Sequence, residues 1–370
     1  MRLALRELRR RPGRFGVATA ILTLIALLLM FLGGLLDGLT AGSTGALRAQ
    51  SGDLLVFSST SQDSLVRSRL GPDARSAVEG VDGVAQVGGL GSVQLGARLD
   101  DRGPRDLVPT VLFGYELAPR GLPDESPAAG EVYADESLEG EGIEEGDTLS
   151  LGPARSEVRV IGFLEDSRYS GQGSLWGSLD TWREVLGENR PGERVGDGIV
   201  QVLVVETGEA GADEVADRID EATSGATSTL TISGAIDALP GVAQQQSVFN
   251  QIIGVTIIVA IVVVALFFAL ITVERVGLYG VLKAIGASSR TLLAGVLLQA
   301  VVVTAIASAI GVGASLLLDV VIPVGAIPFT ATPARLASSV GYLLLAAVIG
   351  CAFSLRRVLR VDPAAAIGGE

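Results

Sequence analysis

Ile252-Ile253-Gly254-Val255-Thr256-Ile257-Ile258-Val259-Ala260-Ile261-Val262-Val263-Val264-Ala265-Leu266-Phe267-Phe268-Ala269-Leu270-Ile271-Thr272-Val273 is 22 residues of almost unbroken Ile, Val, Ala, Leu and Phe without one charge. A helix crosses roughly 30 Å of hydrocarbon with about 20 such residues, so the stretch reads as a membrane span. Three further blocks have the same character. Val17 to Leu36 contains no charge, and Leu292 to Leu318 is apolar apart from Gln299 and small Ser and Thr residues. Leu336 to Phe353 is weaker, with Ser338, Ser339 and Gly341, yet it has no charge between Arg335 and Arg356. It reads as a fourth span, with a re-entrant or interfacial segment as the alternative. Pro323, Pro328 and Pro333 ahead of it end the third helix and make a turn.

Positive charge near helix ends gives the expected orientation. Residues 1–15 carry six arginines against Glu7. The loop 274–290 carries Arg275, Lys283 and Arg290 against Glu274, and the tail from Leu355 has Arg356, Arg357 and Arg360 against Asp362 and Glu370. These three segments are placed in the cytoplasm. With Asp319 and Arg335 taken as cancelling, the segment 37–250 holds 36 acids against 15 arginines, a net charge of −21, and is placed outside. The expected organisation is a cytoplasmic amphipathic N-terminal helix (1–15), a first span (16–36), an extracytoplasmic domain with stalk helices at both ends (37–250) and a second span (251–273). A cytoplasmic coupling loop (274–290), a third span (291–318), an outer loop (319–335), a fourth span (336–354) and a cytoplasmic tail (355–370) follow. The first span, at about 20 apolar residues, exceeds the usual 7–15 of a signal-peptide core. An anchor is therefore preferred to a cleaved signal. Met1 to Arg14 reads either as an amphipathic helix on the inner membrane face or as a plain positive-inside anchor.

Composition excludes several chemistries. The chain of 370 residues has no histidine, one cysteine (Cys351) and one lysine (Lys283), so His triads, His zinc sites, CxxC motifs and intrachain disulfides are ruled out by count. Lys283 sits in Gly280-Val281-Leu282-Lys283-Ala284, which is no Walker A loop. The chain is not expected to be an enzyme. No metal site is expected, and no nucleic acid is expected as a partner.

Within 37–250 the pattern changes to short strand-like runs bounded by Gly, Pro or acids. These are Gly52 to Phe57, Leu107 to Leu112, Thr148 to Leu151, Glu157 to Phe163 and Ile199 to Val205. Pro72 to Val81 and Gly211 to Ala222 read as amphipathic helices, the second with Val215 and Ile219 four apart as for a helix lying on a sheet. Glu136 to Asp147, acidic and interrupted by Gly140, Gly142 and Gly146, lacks calcium-loop order and reads as a loop. An α+β domain is expected. Its ends, Asp37 to Arg48 and Ser233 to Asn250, form a paired stalk if both continue helically into the first and second spans.

The loop after the second span places Leu278, Val281, Leu282 and Ile285 at helical spacing and stops at Gly286-Ala287-Ser288. Such an amphipathic helix needs a groove, in the headgroup layer or in a partner protein. Glu274-Arg275, followed by Gly280-Val281-Leu282-Lys283-Ala284-Ile285-Gly286-Ala287 with Ser288-Ser289, resembles the cytoplasmic signature of the FtsX/MacB-type ABC transporter permeases. Val361-Asp362-Pro363-Ala364 resembles their tail motif. Gly130-Glu131-Val132-Tyr133 with Gly146-Asp147-Thr148-Leu149 resembles a stretch of their periplasmic core domain. The order of one span, a large outer domain and three spans is also theirs. One position departs: the family often has an acid where this chain has Leu278.

The resemblance implies a type VII, mechanotransmitting permease in the bacterial cytoplasmic membrane, with both termini in the cytoplasm. It would work as a homodimer with two copies of a separate ABC ATPase that binds ATP and Mg, and this chain would hold no cofactor of its own. On this reading Glu274, Arg275, Leu278, Val281, Leu282, Lys283, Ile285 and Gly286 form the ATPase-coupling surface. Total length and the size of the outer domain are similar to the haem-exporting HrtB and DevC-type branches. Haem is then the expected cargo, with peptide, antibiotic or lipoprotein export, or FtsX-like activation of an outer partner without transport, as alternatives. With no histidine, axial ligands would come from other side chains. Met30, Asp37 and Tyr342 are the candidates, although a lone Met in such a helix is also ordinary apolar packing. Gly33, Gly34 and Gly38 are expected at a dimer seam, where small residues permit close helix approach. Gln299 reads as an interhelical hydrogen-bond partner.

Overall fold

The computed structural model describes residues 12–99, 103, 106–239, 241–274, 277, 281, 285, 288–322 and 327–358. In chain order the elements begin with α1 (Pro12–Arg48), β1 (Leu54–Ser58), α2 (Pro72–Glu79), β2 (Val84–Leu99), β3 (Val108–Tyr115), β4 (Glu131–Asp135), β5 (Thr148–Leu151) and β6 (Ser156–Leu164). They continue with β7 (Gly173–Ser178), α3 (Leu179–Asn189), β8 (Val202–Thr207), α4 (Ala212–Ala222), β9 (Thr227–Thr231), α5 (Ile232–Asp237), α6 (Val242–Glu274), α7 (Ser289–Val321) and α8 (Pro333–Val358). The chain divides into two compact units, Met1–Gly38 with Gln246–Glu370, and Leu39–Gln245.

Among the described residues the helical unit has four helices long and apolar enough to cross a membrane. A backbone in hydrocarbon has no water to bond, so a helix, which satisfies its own N–H and C=O groups, is the form an open-ended segment takes. The expected spans 16–36, 251–273, 291–318 and 336–354 fall within α1, α6, α7 and α8. Phe15, Ala18 and Leu22 of α1 cluster with Val264 and Phe268 of α6, Val303 and Ala307 of α7, and Ala347 and Cys351 of α8. Small residues allow the closest approach. A Cβ at Gly350 would stand 2.6 Å from the carbonyl oxygen of Ile261.

The inserted unit is built on one strand. β2 pairs with β8 over Val84–Leu90, with β3 over Leu90–Ala97 and with β5 over Ala97–Leu99. The strand order β3-β7-β4-β6-β5-β2-β8-β1-β9, with β3 returning to β2, closes six strands into a ring and leaves β8, β1 and β9 as an extension. On the edge of β2 where β8 has left and β5 has not begun, the side chain of Gln201 takes the place of a strand. Its Oε1 accepts from the Ser92 N–H (2.6 Å) and hydroxyl (3.0 Å), and its Nε2 donates to the Ser92 carbonyl (3.1 Å). Both residues are buried. The free edge of β9 is covered by Asp220 of α4, which accepts from the Thr229 N–H (3.1 Å) and from the hydroxyls of Thr227 and Thr229. Covering an edge in this way removes a template for strand pairing.

The helix expected over 211–222 forms as α4, with Val215 and Ile219 buried. The stretch 84–99, outside the strand-like runs of the sequence, is the longest strand; Gly88, Gly89, Gly91 and Gly96 interrupt its pattern. At Gly91 a Cβ would stand 2.4 Å from the Trp182 ring, so a large indole takes the space over a bare strand. The Glu136 to Asp147 loop holds a short 3₁₀ turn, Glu136–Glu141, capped by Asp135. The expected helical stalk over 233–250 is two helices, because α5 ends at Asp237 and α6 begins at Val242. Gly241 between them has φ +91°, outside any right-handed helix. The first stalk, by contrast, is helical through to Arg48.

Replacing Gln201 by Met keeps volume but leaves the buried Ser92 amide unpaired, so we expect a loss of about 1–3 kcal/mol in stability, measured by chemical denaturation of the full chain in detergent. Burial pushes the Tyr115 and Tyr169 phenols up to about 12, with Tyr133 adding to the effect at Tyr115. Their protonated forms thus favour the fold below the ordinary value of 10.0, and stability falls as pH rises from there through about 12. Absorbance titration of tyrosinate against pH checks this: these two phenols should ionise last, together with unfolding.

Candidate functional site

One end of the helical unit is held by a carboxylate and a guanidinium. Asp37, in the last third of α1, accepts from Arg335 Nε (3.1 and 3.2 Å to its two oxygens) and Nη2 (2.5 Å), and from the Thr332 hydroxyl (2.8 Å). Both charged side chains are about three-quarters buried or more, at 20% and 28% exposure. An ion pair in that setting is strong only while its geometry and hydrogen bonds are complete. Thr332 serves twice, because its hydroxyl also accepts from the Arg335 N–H (3.3 Å) at the start of α8.

The segment 327–335 crosses α1 along a row of glycines. A Cβ at Gly33 would stand 2.6 Å from Arg335 Cδ, at Gly34 2.4 Å from the Phe329 ring, and at Gly38 2.3 Å from the Pro328 carbonyl oxygen. Phe329 stacks on Phe31 with ring centroids 5.5 Å apart, and the Thr330 N–H donates to the Gly34 carbonyl (3.1 Å). The Ala331 N–H donates to Asp319 Oδ1 (3.0 Å), which brings the end of α7 into the same knot. The faces of Gly33, Gly34 and Gly38, expected at a dimer seam, are thus filled by the chain's own turn. Arg335, Thr332 and Phe329 were not singled out from sequence. In the sequence Arg335 reads as a charge that offsets Asp319 and bounds the fourth span, whereas its hydrogen bonds go to Asp37, 298 residues away in the chain.

The other expected cargo residues, Met30 and Tyr342, differ in exposure. Met30 is 1% exposed, and its sulfur would be 3.3 Å from a Cβ at Gly311, beside Ala26. It fills the close α1–α7 contact. Tyr342 of α8 is 44% exposed. Of the expected coupling surface, Glu274 ends α6, while Val281 and Ile285 are exposed (53% and 79%) and joined by an Ile285 N–H to Val281 carbonyl bond of 3.1 Å, one helical turn. Arg275, Leu278, Leu282, Lys283 and Gly286 lie outside the described residues. So do the expected N-terminal amphipathic helix up to residue 11 and the tail from 359. Gln299 of α7 is buried.

The inserted unit has a cavity of about 460 Å³ lined by Ser43, Leu65, Val66, Tyr169, Val242 and Gln245. No sequence pattern marks it, because its walls, which also include Gln94, come from five separate stretches of the chain.

Asp37→Ala strands the Arg335 guanidinium, and losing a bond to a charged group of this kind costs about 1.5–3 kcal/mol. We expect segment 327–335 to leave α1 more often. A cysteine at Ala331, in a Cys351→Ala background, should then react with a maleimide about tenfold faster than with Asp37 intact.

The FtsX-like permease C-terminal family matches residues 250–363. Over its whole length the chain is 22% identical, across 378 residues, to the putative hemin transport system permease protein HrtB of Staphylococcus haemolyticus, covering 99% of that protein. It is 24% identical to the protein of the same name from Staphylococcus epidermidis, again over 100% of this chain and 99% of the relative. An uncharacterized ABC transporter permease of Mycobacterium bovis is 45% identical over 118 residues, 30% of this chain and 31% of that one. Among solved structures, the periplasmic region of MacB from Actinobacillus actinomycetemcomitans aligns with 50% of this chain and 91% of its own, at 11% identity and a TM-score of 0.36. Residues 250–363 are an FtsX-like permease C-terminal domain, carried by a chain with four described helices long and apolar enough to cross a membrane and similar over its whole length to permeases named HrtB.

Proposed function

We propose that this chain is the membrane subunit of a haem exporter, driven by a separate ATPase. The observation that carries this reading is the end-to-end alignment with relatives named as hemin transport permeases, spanning inserted domain and spans alike. The chain is proposed to act as a dimer with two ATPase copies, its termini in the cytoplasm and its inserted domain outside. The arginine-rich segment 1–15 and the small positive excess of loop 274–290 support that orientation. ATP and Mg belong to the partner; haem enters as cargo and not as cofactor.

The roles follow from where side chains stand. Val281 and Ile285 present apolar surface at one helical turn's spacing, which suits a groove on the ATPase. Glu274, Arg275, Leu278, Leu282, Lys283 and Gly286 are proposed to complete that contact. α1 runs unbroken from Pro12 to Arg48, so a tilt of its first turns reaches its last without a hinge. Asp37 with Arg335 ties α1 to the start of α8, so these helices move together. For the cargo, Tyr342 offers a phenol at the surface of α8. Met30 reaches a ligand only when α1 and α7 part, which makes it a ligand of the moving state. Asp37 would have to exchange Arg335 for cargo. Gly33, Gly34 and Gly38 are proposed to face the second copy only where segment 327–335 has lifted.

Titration of the purified chain, reconstituted with its ATPase in nanodiscs, with haemin tests the reading. A saturable Soret shift, weakened at least about tenfold by Tyr342→Phe or Met30→Ala, and haemin-stimulated ATP hydrolysis are expected. Absence of both would remove haem as cargo.

A further inference from the structure

Between residues 37 and 250 acids outnumber arginines 36 to 15, yet three of those arginines line one open groove of about 620 Å³. Arg67 and Arg69 come from the segment following β1, and Arg194 from the segment following α3. The two segments are tied by reciprocal backbone bonds between Leu70 and Val200 (2.8 and 3.0 Å), so the arginines are carried on joined walls.

Two of the three are held in place by groups that leave their charge unspent. Arg69 Nη1 donates to the carbonyls of Val66 (2.8 Å) and Ser68 (2.7 Å), which fixes the guanidinium and leaves its other nitrogens without a partner among the described residues. Arg194 lies across Gly187 of α3, its Nε 3.0 Å from where a Cβ would stand. The one acid lining the groove, Glu193, has Arg190 as its partner at 3.5 Å. Among the described residues none of Arg67, Arg69 and Arg194 forms an ion pair.

Like charges gathered in one groove repel each other, and a bound anion relieves that cost. Guanidinium forks match the oxygens of carboxylates and phosphates. Three of them exceed what one carboxylate, with two oxygens and one charge, can use. A phosphate monoester brings three terminal oxygens and up to two charges. The surrounding acids repel an extended polyanion, so the ligand must be small or carry its phosphate at one end. We infer that this groove is a binding site for a terminal phosphate group on a compact ligand. The inference is independent of haem as cargo.

Titration of the full chain in uncharged detergent with inorganic phosphate, followed by phosphorus NMR line broadening at constant ionic strength, tests it. Saturable binding is expected, weakened at least about tenfold in Arg67→Ala/Arg194→Ala. Gly187→Ala is the second variant. Alanine is a better helix former than glycine, so α3 is kept while Arg194 is displaced, and binding should weaken about threefold. No saturable binding by the wild-type chain, or equal binding by the double variant, would overturn the site. Repeating the titration in nanodiscs with and without phosphatidic acid identifies the source while leaving the site supported. Suppression by the lipid marks a headgroup as the natural ligand, and an unchanged titration marks a soluble phosphate compound.

Discussion

Hydrocarbon offers a peptide group nothing to bond with, and the architecture of this chain follows from that constraint. Four stretches satisfy it by coiling, which commits their side chains to lipid or to each other. Most of the charged residues are then gathered into the 207-residue unit Leu39–Gln245 or lie towards the ends of the helices. The Asp37–Arg335 pair is a product of the same pressure. Two charges near apolar helices are tolerable when each neutralises the other, and the glycine row lets the arginine lie against α1 to do so. Larger side chains at Gly33, Gly34 or Gly38 would hold segment 327–335 away and leave the carboxylate uncompensated.

The inserted unit answers a different problem. A ring of strands with a three-strand extension needs one strand to serve both, and β2 does so at the cost of a gap on one edge. In a sheet such a gap leaves an amide with no partner, and a buried one is destabilising. Gln201 closes it because a carboxamide carries the same donor and acceptor as a peptide group. The glycines of β2 and β3 solve the matching problem on the faces, where Trp182 presses on both Gly91 and Gly114.

How much of this was readable beforehand depends on the range of the interaction involved. The spans were legible because apolarity over 20 residues is a local property, and α4 because Val215 and Ile219 repeat at helical spacing. The strand β2 was not, since Gly88, Gly89, Gly91 and Gly96 interrupt the pattern of a strand and only the distant Leu117, Val200 and Trp182 explain them. The end of α5 at Asp237 and the start of α6 at Val242 had their signal in Pro240-Gly241 of the sequence, outweighed by helical residues on both sides. The Asp37–Arg335 contact spans 298 residues, and no spacing rule joins such positions. Of the cargo and coupling residues chosen from sequence, the types were set by what a chain without histidine has available, and their arrangement by resemblance.

The position of Asp37 bears on how cargo and coupling share one helix. If a cargo ligand took Asp37 while α1 stayed closed, Arg335 would lose its partner inside a poorly hydrated site, which costs several kcal/mol. Opening without cargo breaks the same pair. An event that both loosens segment 327–335 and supplies Arg335 with a new anion avoids that cost. A cargo with carboxylates of its own meets the requirement, because it replaces Asp37 as acceptor at the moment the turn lifts away from Gly34 and Gly38. Haem, with two propionates, is such a molecule; a neutral lipid is not. On the proposed reading, the charge at the start of α8 therefore favours anionic amphiphiles over uncharged ones.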